Sequence, residues 1–181
     1  MASPDLVQSG ATLVTGGTGA LGAAVTELMC SRGENVVFTY RNNVDAAEKL
    51  VSDISALGGQ VAAHRVDLTD ASDTAAAVTA IVEQYGGLAS LVYASGPFVE
   101  FSYLSRITPT QFADQISADA VAFFNVLHPS IEHLRATRGS VVAVATAALQ
   151  RAIIRDGLSA GPKGAIEGLI RTLALEEGRF G

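Results

Sequence analysis

The glycines near the start of the chain have the spacing with the clearest chemical meaning. Gly17, Gly19 and Gly22 form the pattern G-x-G-x-x-G within the segment TGGTGALG, between a short apolar run and an amphipathic helical period. Glycine there permits a tight turn and lets backbone N–H groups at a helix N-terminus approach a pyrophosphate. The pattern therefore predicts dinucleotide binding rather than a mere tight turn. The residues predicted to bind are Gly16, Gly17, Thr18, Gly19, Ala20, Leu21 and Gly22.

The end of the next apolar run favours one cofactor over another. Tyr40, Arg41 and Asn42 stand where a site for NAD usually has an acidic residue that bonds the ribose hydroxyls, and no acid follows until Asp45. Arg41 lies about 20 residues beyond the glycines, where a guanidinium pairs with the 2′-phosphate of NADP. The sequence predicts binding of NADP, with NAD the less favoured cofactor. The alternative is that Arg41 is an ordinary solvated charge.

Short apolar runs and longer helical periods alternate along the whole chain. This alternation predicts right-handed crossovers and a doubly wound parallel sheet, the Rossmann type of α/β fold, in a single domain over residues 10–181. Residues 1–9 are expected to be a loose lead-in. A long helix is expected over about 111–135, with Pro129 inside it, and a last helix over Gly164–Glu177, with Pro162 in its first turn. The predicted strands are Ala11–Thr15, Asn35–Tyr40, Val61–Val66, Leu88–Ala94 and Val141–Ala145.

Composition and charge exclude several classes of protein. The 181 residues are 49% apolar and 17% charged, which excludes a disordered or fibrous chain. The net charge of −6 argues against a general nucleic-acid or anionic-membrane surface. Because the sequence has one cysteine, Cys30, no apolar run of membrane-spanning length and no secretory signal, we expect a cytoplasmic protein. Its histidines and Cys30 lack the spacing of metal ligands, so no metal site is predicted.

Several motifs together resemble the short-chain dehydrogenase/reductase family over residues 10–181. TGGTGALG and the following YRNN turn are similar to the cofactor half of its ketoreductase-type members. The resemblance implies an NADP(H)-dependent oxidoreductase that transfers hydride to or from a carbonyl or alcohol of a small molecule. It also implies that Asp67, at the end of the third strand beside Leu68, meets the adenine, and that Ala94–Gly96 lies near the nicotinamide ribose. The cofactor-binding residues so implied, beyond the glycine turn, are Tyr40, Arg41, Asn42, Asp67, Leu68, Ala94, Ser95, Gly96 and Lys163.

The catalytic residues of that family are only partly matched. Its members usually carry Asn, Ser and a Y-x-x-x-K pair, in which the tyrosine exchanges a proton with the substrate oxygen. Lys163 fits the lysine and is expected to bind the ribose, but Ser159 stands at the tyrosine position. Thr146 stands at the serine position, and Ser117 aligns best with the asparagine. The resemblance thus implies an atypical enzyme with Thr146, Ser159 and Lys163 as candidate catalytic residues, where Thr146 orients the substrate oxygen.

The resemblance leaves two questions open and carries two further expectations. The proton donor is water or an unassigned side chain, with Tyr93, Tyr103 and Asp156 as candidates against packing or solvated alternatives. The lost tyrosine also fits a rival function, a non-catalytic dinucleotide-binding sensor or partner subunit. A third alternative is a structural homologue that binds no cofactor, in which the glycine turn would be vestigial. The long and last helices resemble the pair through which family members form dimers or tetramers, so a homo-oligomer is expected. The family's C-terminal part, which usually shapes the substrate site, is expected to be absent from this sequence.

Overall fold

The computed structural model describes residues 10–180, in which strands and helices alternate. The strands are β1 (Ala11–Thr15), β2 (Asn35–Tyr40), β3 (Gln60–Arg65), β4 (Leu88–Tyr93) and β5 (Ser140–Ala143). The helices are α1 (Ala20–Ser31), α2 (Val44–Ala56), α3 (Ala71–Tyr85), α4 (Pro109–Ile116), α5 (Ala122–Thr137) and α6 (Gly157–Glu177). A π-helical turn, Ser117–Val121, joins α4 to α5. The predicted lead-in over residues 1–9 lies outside the described residues.

The five strands form one sheet in the order β3-β2-β1-β4-β5, and every pairing is parallel. The order reverses direction between β1 and β4. In open parallel sheets, ligands bind outside the carboxyl ends of the strands at such a switch point. The predicted doubly wound Rossmann-type fold is therefore confirmed.

Helices cover both faces of the sheet. On one face, α1 and α2 pack against side chains of β1 and β2 through a cluster that includes Val14, Phe38 and Leu50. On the other face, α3, α5 and α6 contribute Ile81, Phe123 and Ile166 to the larger core. Because both faces of β1 and β4 are covered, these strands read as continuous apolar runs. No helix in residues 10–180 is long and apolar enough to cross a bilayer.

The observed elements differ from the predicted ones mainly in the last two helical segments. The last helix begins at Gly157 and not at Gly164, so Pro162 lies in its second turn rather than its first. A proline there lacks the N–H that would bond to the carbonyl of Leu158, but the buried ring is accommodated and the helix continues. The long helix begins at Pro109, where Thr108 and Gln111 form a capping box. β3, β4 and β5 each end one or two residues earlier than predicted.

Candidate functional site

The glycine turn lies between β1 and α1 and is closely packed. Gly16 has a φ of +71°, a left-handed conformation that favours glycine. A Cβ on Gly22 would lie 2.2 Å from the carbonyl oxygen of Gly16, so the first turn of α1 can approach the loop only without a side chain there. A Cβ on Gly17 would lie 2.3 Å from the ring of Phe38. The backbone of this turn is therefore held against β2 in one arrangement.

The N–H groups of the turn divide into two sets. Gly17 donates to the carbonyl of Thr39 at 2.9 Å, and Gly19 donates to that of Gly16 at 2.9 Å, so both contribute to the turn itself. Gly19 is the N-cap of α1 and its helix has no side-chain cap. The N–H groups of Ala20 and Leu21 are in the first turn, which has no acceptors within the helix. An uncapped helix N-terminus with available N–H groups is suited to a phosphate.

The segment after β4 is fastened to β1 beside this turn. The hydroxyl oxygen of Thr15, a fully buried residue, accepts the N–H groups of Ala94 and Ser95, each at 3.2 Å. These bonds fix the chain after β4 beside β1, at the switch point of the sheet. Ala94–Gly96 thus borders the same space as the glycine turn.

A cleft of about 310 Å³ opens at this edge of the sheet. It extends from the glycine turn past the ends of β2 and β3 to the segment after β4. Most residues predicted to bind the cofactor line it, whereas Gly17, Ala20, Leu21, Gly22, Asn42 and Lys163 do not border it directly. The predicted residues that line it are Gly16, Thr18, Gly19, Tyr40, Arg41, Asp67, Leu68, Ala94, Ser95 and Gly96.

The far end of the cleft carries charged groups from β2, β3 and α3. Arg41 is exposed after β2, and an adjoining opening is lined by Arg41, Asn42, Arg65, Asp67 and Asp73. The hydroxyl and N–H of Thr69 donate to Asp67, and these bonds, helped by the positive charge of Arg41, lower the pKa of its carboxyl. Asp67 is therefore a stable carboxylate close to Arg41.

A buried charged cluster around Lys163 lies behind the segment that lines the other end of the cleft. Its ammonium donates to Oδ1 of Asp119 at 3.0 Å and to the carbonyl oxygen of Ser95 at 3.3 Å. It also lies 5.3 Å from the ring centre of Tyr93. The Lys163 side chain is 12% exposed and that of Asp119 is 4% exposed, so the pair is largely shielded from water. Lys163 is thereby held at the segment that precedes Gly96.

Tyr93 packs in the core and does not face the cleft. It is fully buried, and its hydroxyl donates to the backbone carbonyl of Asp119 at 2.9 Å. Burial, with Asp119 beside it, raises the pKa of the phenol far above its usual range. The phenol therefore stays protonated and bound. Of the two alternatives that the sequence left for Tyr93, the structure supports packing at a strand end.

Asp119 is one of the residues at this site that the sequence analysis missed. The helix position aligned with the family's asparagine was Ser117, but Ser117 is exposed and Asp119, two residues later, contacts Lys163. The π-helical turn causes the shift, because its extra residue rotates Asp119 into the interior. The available signal was a lone acidic residue in the otherwise small and apolar run Ala118–Phe123.

The two hydroxyl candidates occupy different structural positions. Thr146 follows β5, and its oxygen accepts the N–H of Ala148 at 3.3 Å, which leaves the hydroxyl hydrogen as a donor. Ser159 lies in the first turn of α6, four residues before Lys163, and its N–H bonds to the carbonyl of Asp156. One helical turn thus separates Ser159 from Lys163 on one face of α6.

The remaining candidates, Tyr103 and Asp156, belong to two loops that hydrogen bonds join to each other. Ser102, after β4, forms an isolated parallel bridge with Asp156, and its N–H donates to the carbonyl of Arg155 at 2.9 Å. The Arg155 guanidinium donates to the carbonyl of Phe101 and lies 5.7 Å from the ring centre of Tyr103. Asp156 is buried, not a solvated loop charge. Tyr103 is 52% exposed in the loop.

Thiol and metal chemistry find no support in residues 10–180. No group of three or more His, Cys, Asp or Glu side chains in this range is placed to hold a metal ion. Cys30 is buried, and that burial raises its pKa to about 11, which keeps the thiol unreactive.

The strand order and the position of the cleft define a Rossmann-type α/β protein with a cleft at the switch point between β1 and β4, where proteins of this class bind their ligands. Within that class, residues 11–181 match the short chain dehydrogenase family, and the chain belongs to it. The family assignment made from TGGTGALG is thus confirmed.

Relatives and solved structures agree with this assignment. The chain is 29% identical to a versicolorin reductase from Emericella nidulans, over 92% of this chain and 62% of that protein. It is 30% identical to elsinochrome reductase 1 from Elsinoe fawcettii, over 92% and 62% of the two chains. It therefore spans less than two thirds of these relatives' length.

Among solved structures, a short chain dehydrogenase from Burkholderia cenocepacia in complex with NADP superposes with a TM-score of 0.86 at 28% identity, over 96% of this chain and 71% of that one. The citronellol catabolism dehydrogenase of Pseudomonas aeruginosa superposes with a TM-score of 0.89 at 25% identity, over 100% and 74%.

Proposed function

We propose that this chain forms the cofactor-binding domain of an NADP(H)-dependent oxidoreductase that acts on a carbonyl or alcohol of a small organic molecule. One observation carries the proposal: a single cleft joins the uncapped N-terminus of α1 and Arg41 to the segment that Lys163 holds. The glycine turn packs so closely that a Cβ at Gly17 or Gly22 would clash, which holds the N-terminus of α1 at the edge of this cleft. The reductase names of the relatives and the NADP complex of the Burkholderia protein support it.

The residues of the cleft would hold the cofactor at three places. The N-terminus of α1 would bind the pyrophosphate, Arg41 the 2′-phosphate, and Lys163 the nicotinamide ribose. When bound, the nicotinamide supplies the hydride chemistry. Preference for NADP over NAD follows from Arg41, because β2 ends without an acidic residue that would repel a phosphate.

The proton chemistry would be atypical for the family. Ser159 stands where the resemblance places a tyrosine, and a serine hydroxyl is too weak an acid to replace a phenol. Thr146 retains a hydroxyl hydrogen that would donate to the substrate oxygen and orient it. The proton would then come from water or another side chain. The buried phenol of Tyr93 is unsuited to this role, because it is already bound to Asp119.

A second candidate function is a non-catalytic dinucleotide-binding module. The pairing of Lys163 with Asp119 favours it, because a neutralised ammonium stabilises a neighbouring oxyanion less than a free one does. Such a module would bind NADPH tightly and transfer no hydride.

A fluorescence titration with NADPH and NADH, followed by turnover on a panel of aliphatic and aromatic carbonyls, tests both candidates. We expect tighter binding of NADPH and measurable NADPH oxidation. Thr146→Val should lower kcat/KM by about 100-fold, the typical loss of one donor to a developing oxyanion, and Thr146→Ser should restore most of it. Ser159→Ala should lower kcat/KM by less than about tenfold, because serine is a poor proton donor.

The outcomes separate the candidates. Binding without any turnover across the panel would favour the non-catalytic module over the enzyme. Failure to bind either nucleotide would contradict both. Turnover that Thr146→Val leaves unchanged would remove Thr146 from the mechanism.

The expected homo-oligomer is also a proposal. Val121 and Phe124 expose 43% and 45% of their surfaces at the start of α5, and a second copy of this chain would cover them. Light scattering on the purified protein, with Phe124→Lys as the disrupting variant, tests this assembly.

A further inference from the structure

We infer that Arg65 is a second determinant of the preference for NADP, acting beside Arg41 on the 2′-phosphate. The inference rests on the proposed function and adds a residue that the glycine turn and the end of β2 do not reveal. It comes from the pairing of β2 with β3 and from the contacts of the Arg65 guanidinium.

The two arginines are brought together by the sheet. In the parallel pairing of β2 with β3, Tyr40 lies opposite Arg65, so the last residue of β3 stands beside the turn that follows β2. The N–H of Val66 bonds to the carbonyl of Tyr40 at 2.9 Å and extends this pairing past the strand ends. Arg41 and Arg65, although 24 residues apart in sequence, therefore line one opening together with Asn42.

One hydrogen bond fixes the relation between the two arginines. Nε of Arg65 donates to the backbone carbonyl of Arg41 at 3.0 Å. This contact uses one of the five N–H donors of the Arg65 guanidinium and leaves those on its two Nη atoms. Arg65 thus holds the turn that carries Arg41, and the N–H groups on its Nη atoms stay available to donate at the same opening.

The acidic residues nearby do not neutralise these cations by direct contact. Within residues 10–180, neither Arg41 nor Arg65 forms an ion pair with a carboxylate. Asp67 accepts from Thr69, and Asp73 accepts the N–H of Asp67 at 3.0 Å, so both carboxylates are bonded to the loop before α3. Two exposed guanidiniums without carboxylate partners suit a phosphate monoester, which carries close to two negative charges at neutral pH.

The ratio of NADPH affinity to NADH affinity tests the role of Arg65 without requiring turnover. In Arg65→Gln we expect NADPH to bind about tenfold more weakly, as for loss of hydrogen bonds to a charged group, while the Kd for NADH stays within about twofold. The probes 2′,5′-ADP and 5′-AMP, measured by calorimetry, should show the same difference. Arg65→Lys should recover only part of the affinity, because lysine lacks the planar fork.

A matched control separates this effect from net charge. Arg32→Gln changes the charge by the same amount at the C-terminal end of α1, the end opposite the glycine turn, and should leave both affinities unchanged. Arg41→Gln and the double variant complete a cycle. Because both arginines would share one phosphate, we expect their combined loss to be smaller than the product of the single losses.

Each result decides between the proposals. A loss in Arg65→Gln that is equal for NADPH and NADH would assign Arg65 a structural role only and overturn the inference, as would an unchanged ratio. An unaltered chain that does not prefer NADPH would overturn the proposed cofactor preference and the inference with it. Preference in the unaltered chain, lost in Arg65→Gln and kept in Arg32→Gln, supports both.

Discussion

The two ends of the cleft differ in how their functional groups are held in position. One end is lined by the glycine turn, Arg41 and Arg65, and we call it the adenine end because the adenine of the proposed cofactor would lie there. Backbone geometry positions its groups, and both arginines remain exposed. At the other end, Lys163 is positioned by a buried side-chain network with Asp119 and by the carbonyl of Ser95. The first end is an open surface on which two arginines lie beside two aspartates without ion pairs, whereas the second is a closed cluster built around one buried ion pair.

This contrast explains why the two ends respond differently to sequence change. The backbone geometry at the adenine end depends on a few glycines and tolerates little change there. The cluster around Lys163 depends on charge balance, because a buried charge without its partner is strongly unfavourable. Asp119 supplies the negative charge that balances Lys163, and this pairing does not depend on which residue stands four positions before Lys163.

The largest expected effect comes from disrupting the glycine turn at the adenine end. In Gly22→Ala, the new Cβ meets the carbonyl of Gly16 at 2.2 Å, so α1 must shift away from the loop. We expect the free energy of unfolding to fall by about 3 kcal/mol, and NADPH binding to be lost at concentrations that saturate the unaltered chain. Urea unfolding and titration measure the two effects.

Gly178→Ala is the matched control for that substitution, because a Cβ there meets nothing within 4 Å. It should leave both stability and binding close to those of the unaltered chain. Normal NADPH binding by Gly22→Ala would contradict the role of the turn.

The next effect breaks the charge balance around Lys163. Asp119→Ala leaves the Lys163 ammonium largely buried without its carboxylate, and we expect a loss of about 3 kcal/mol in the free energy of unfolding. Asp119→Asn keeps a hydrogen-bond acceptor at 119 and should lose less. Lys49→Ala, which removes an exposed ion pair with Asp53, should leave the unfolding midpoint unchanged. Equal stability of Asp119→Ala and the unaltered chain would mean that the pair does not hold the cluster together.

The fold and the adenine end were largely predictable from sequence because their signals are local. Buried parallel strands appear as short apolar runs, and the glycine spacing lies within a single turn between β1 and α1. The start of α6 was harder, because Gly157–Gly161 has small residues and a proline follows. Helix formation there depends on packing rather than on propensity.

The cluster around Lys163 was not predictable from spacing. Asp119 reaches Lys163 across 44 residues, and only the π-helical turn determines which residue of Ser117–Val121 faces inward. Register within a helix can be read from apolar periodicity, but a π-helical turn changes that register by one residue. Arg65 was missed for a related reason, since its contact with Arg41 depends on strand pairing.

The smallest expected effect is on the pH dependence of stability, because hydrogen bonds stabilise the charged carboxylate of Asp67 at the adenine end. The pKa of Asp67 is lowered in the folded chain, chiefly by the hydroxyl and N–H of Thr69, so the folded state favours the charged carboxylate. This contribution to stability is present above the ordinary value of 3.8 and is lost as pH falls through the lower folded pKa. Thr69→Val removes the hydroxyl donor and should therefore reduce the loss of thermal stability below pH 3.8.

Thr79→Val removes a comparable exposed hydroxyl, one that donates to the carbonyl of Ala75 and not to a carboxylate. Its Tm should shift equally at neutral and acidic pH, whereas the Tm difference between Thr69→Val and the unaltered chain should shrink in acid. Melting curves of the three proteins at both pH values measure this. The Tm of Thr69→Val should fall less in acid than that of the unaltered chain. An equal fall would mean that the Thr69 hydroxyl does not lower the pKa of Asp67, and that the backbone N–H of Thr69 and the charge of Arg41 lower it instead.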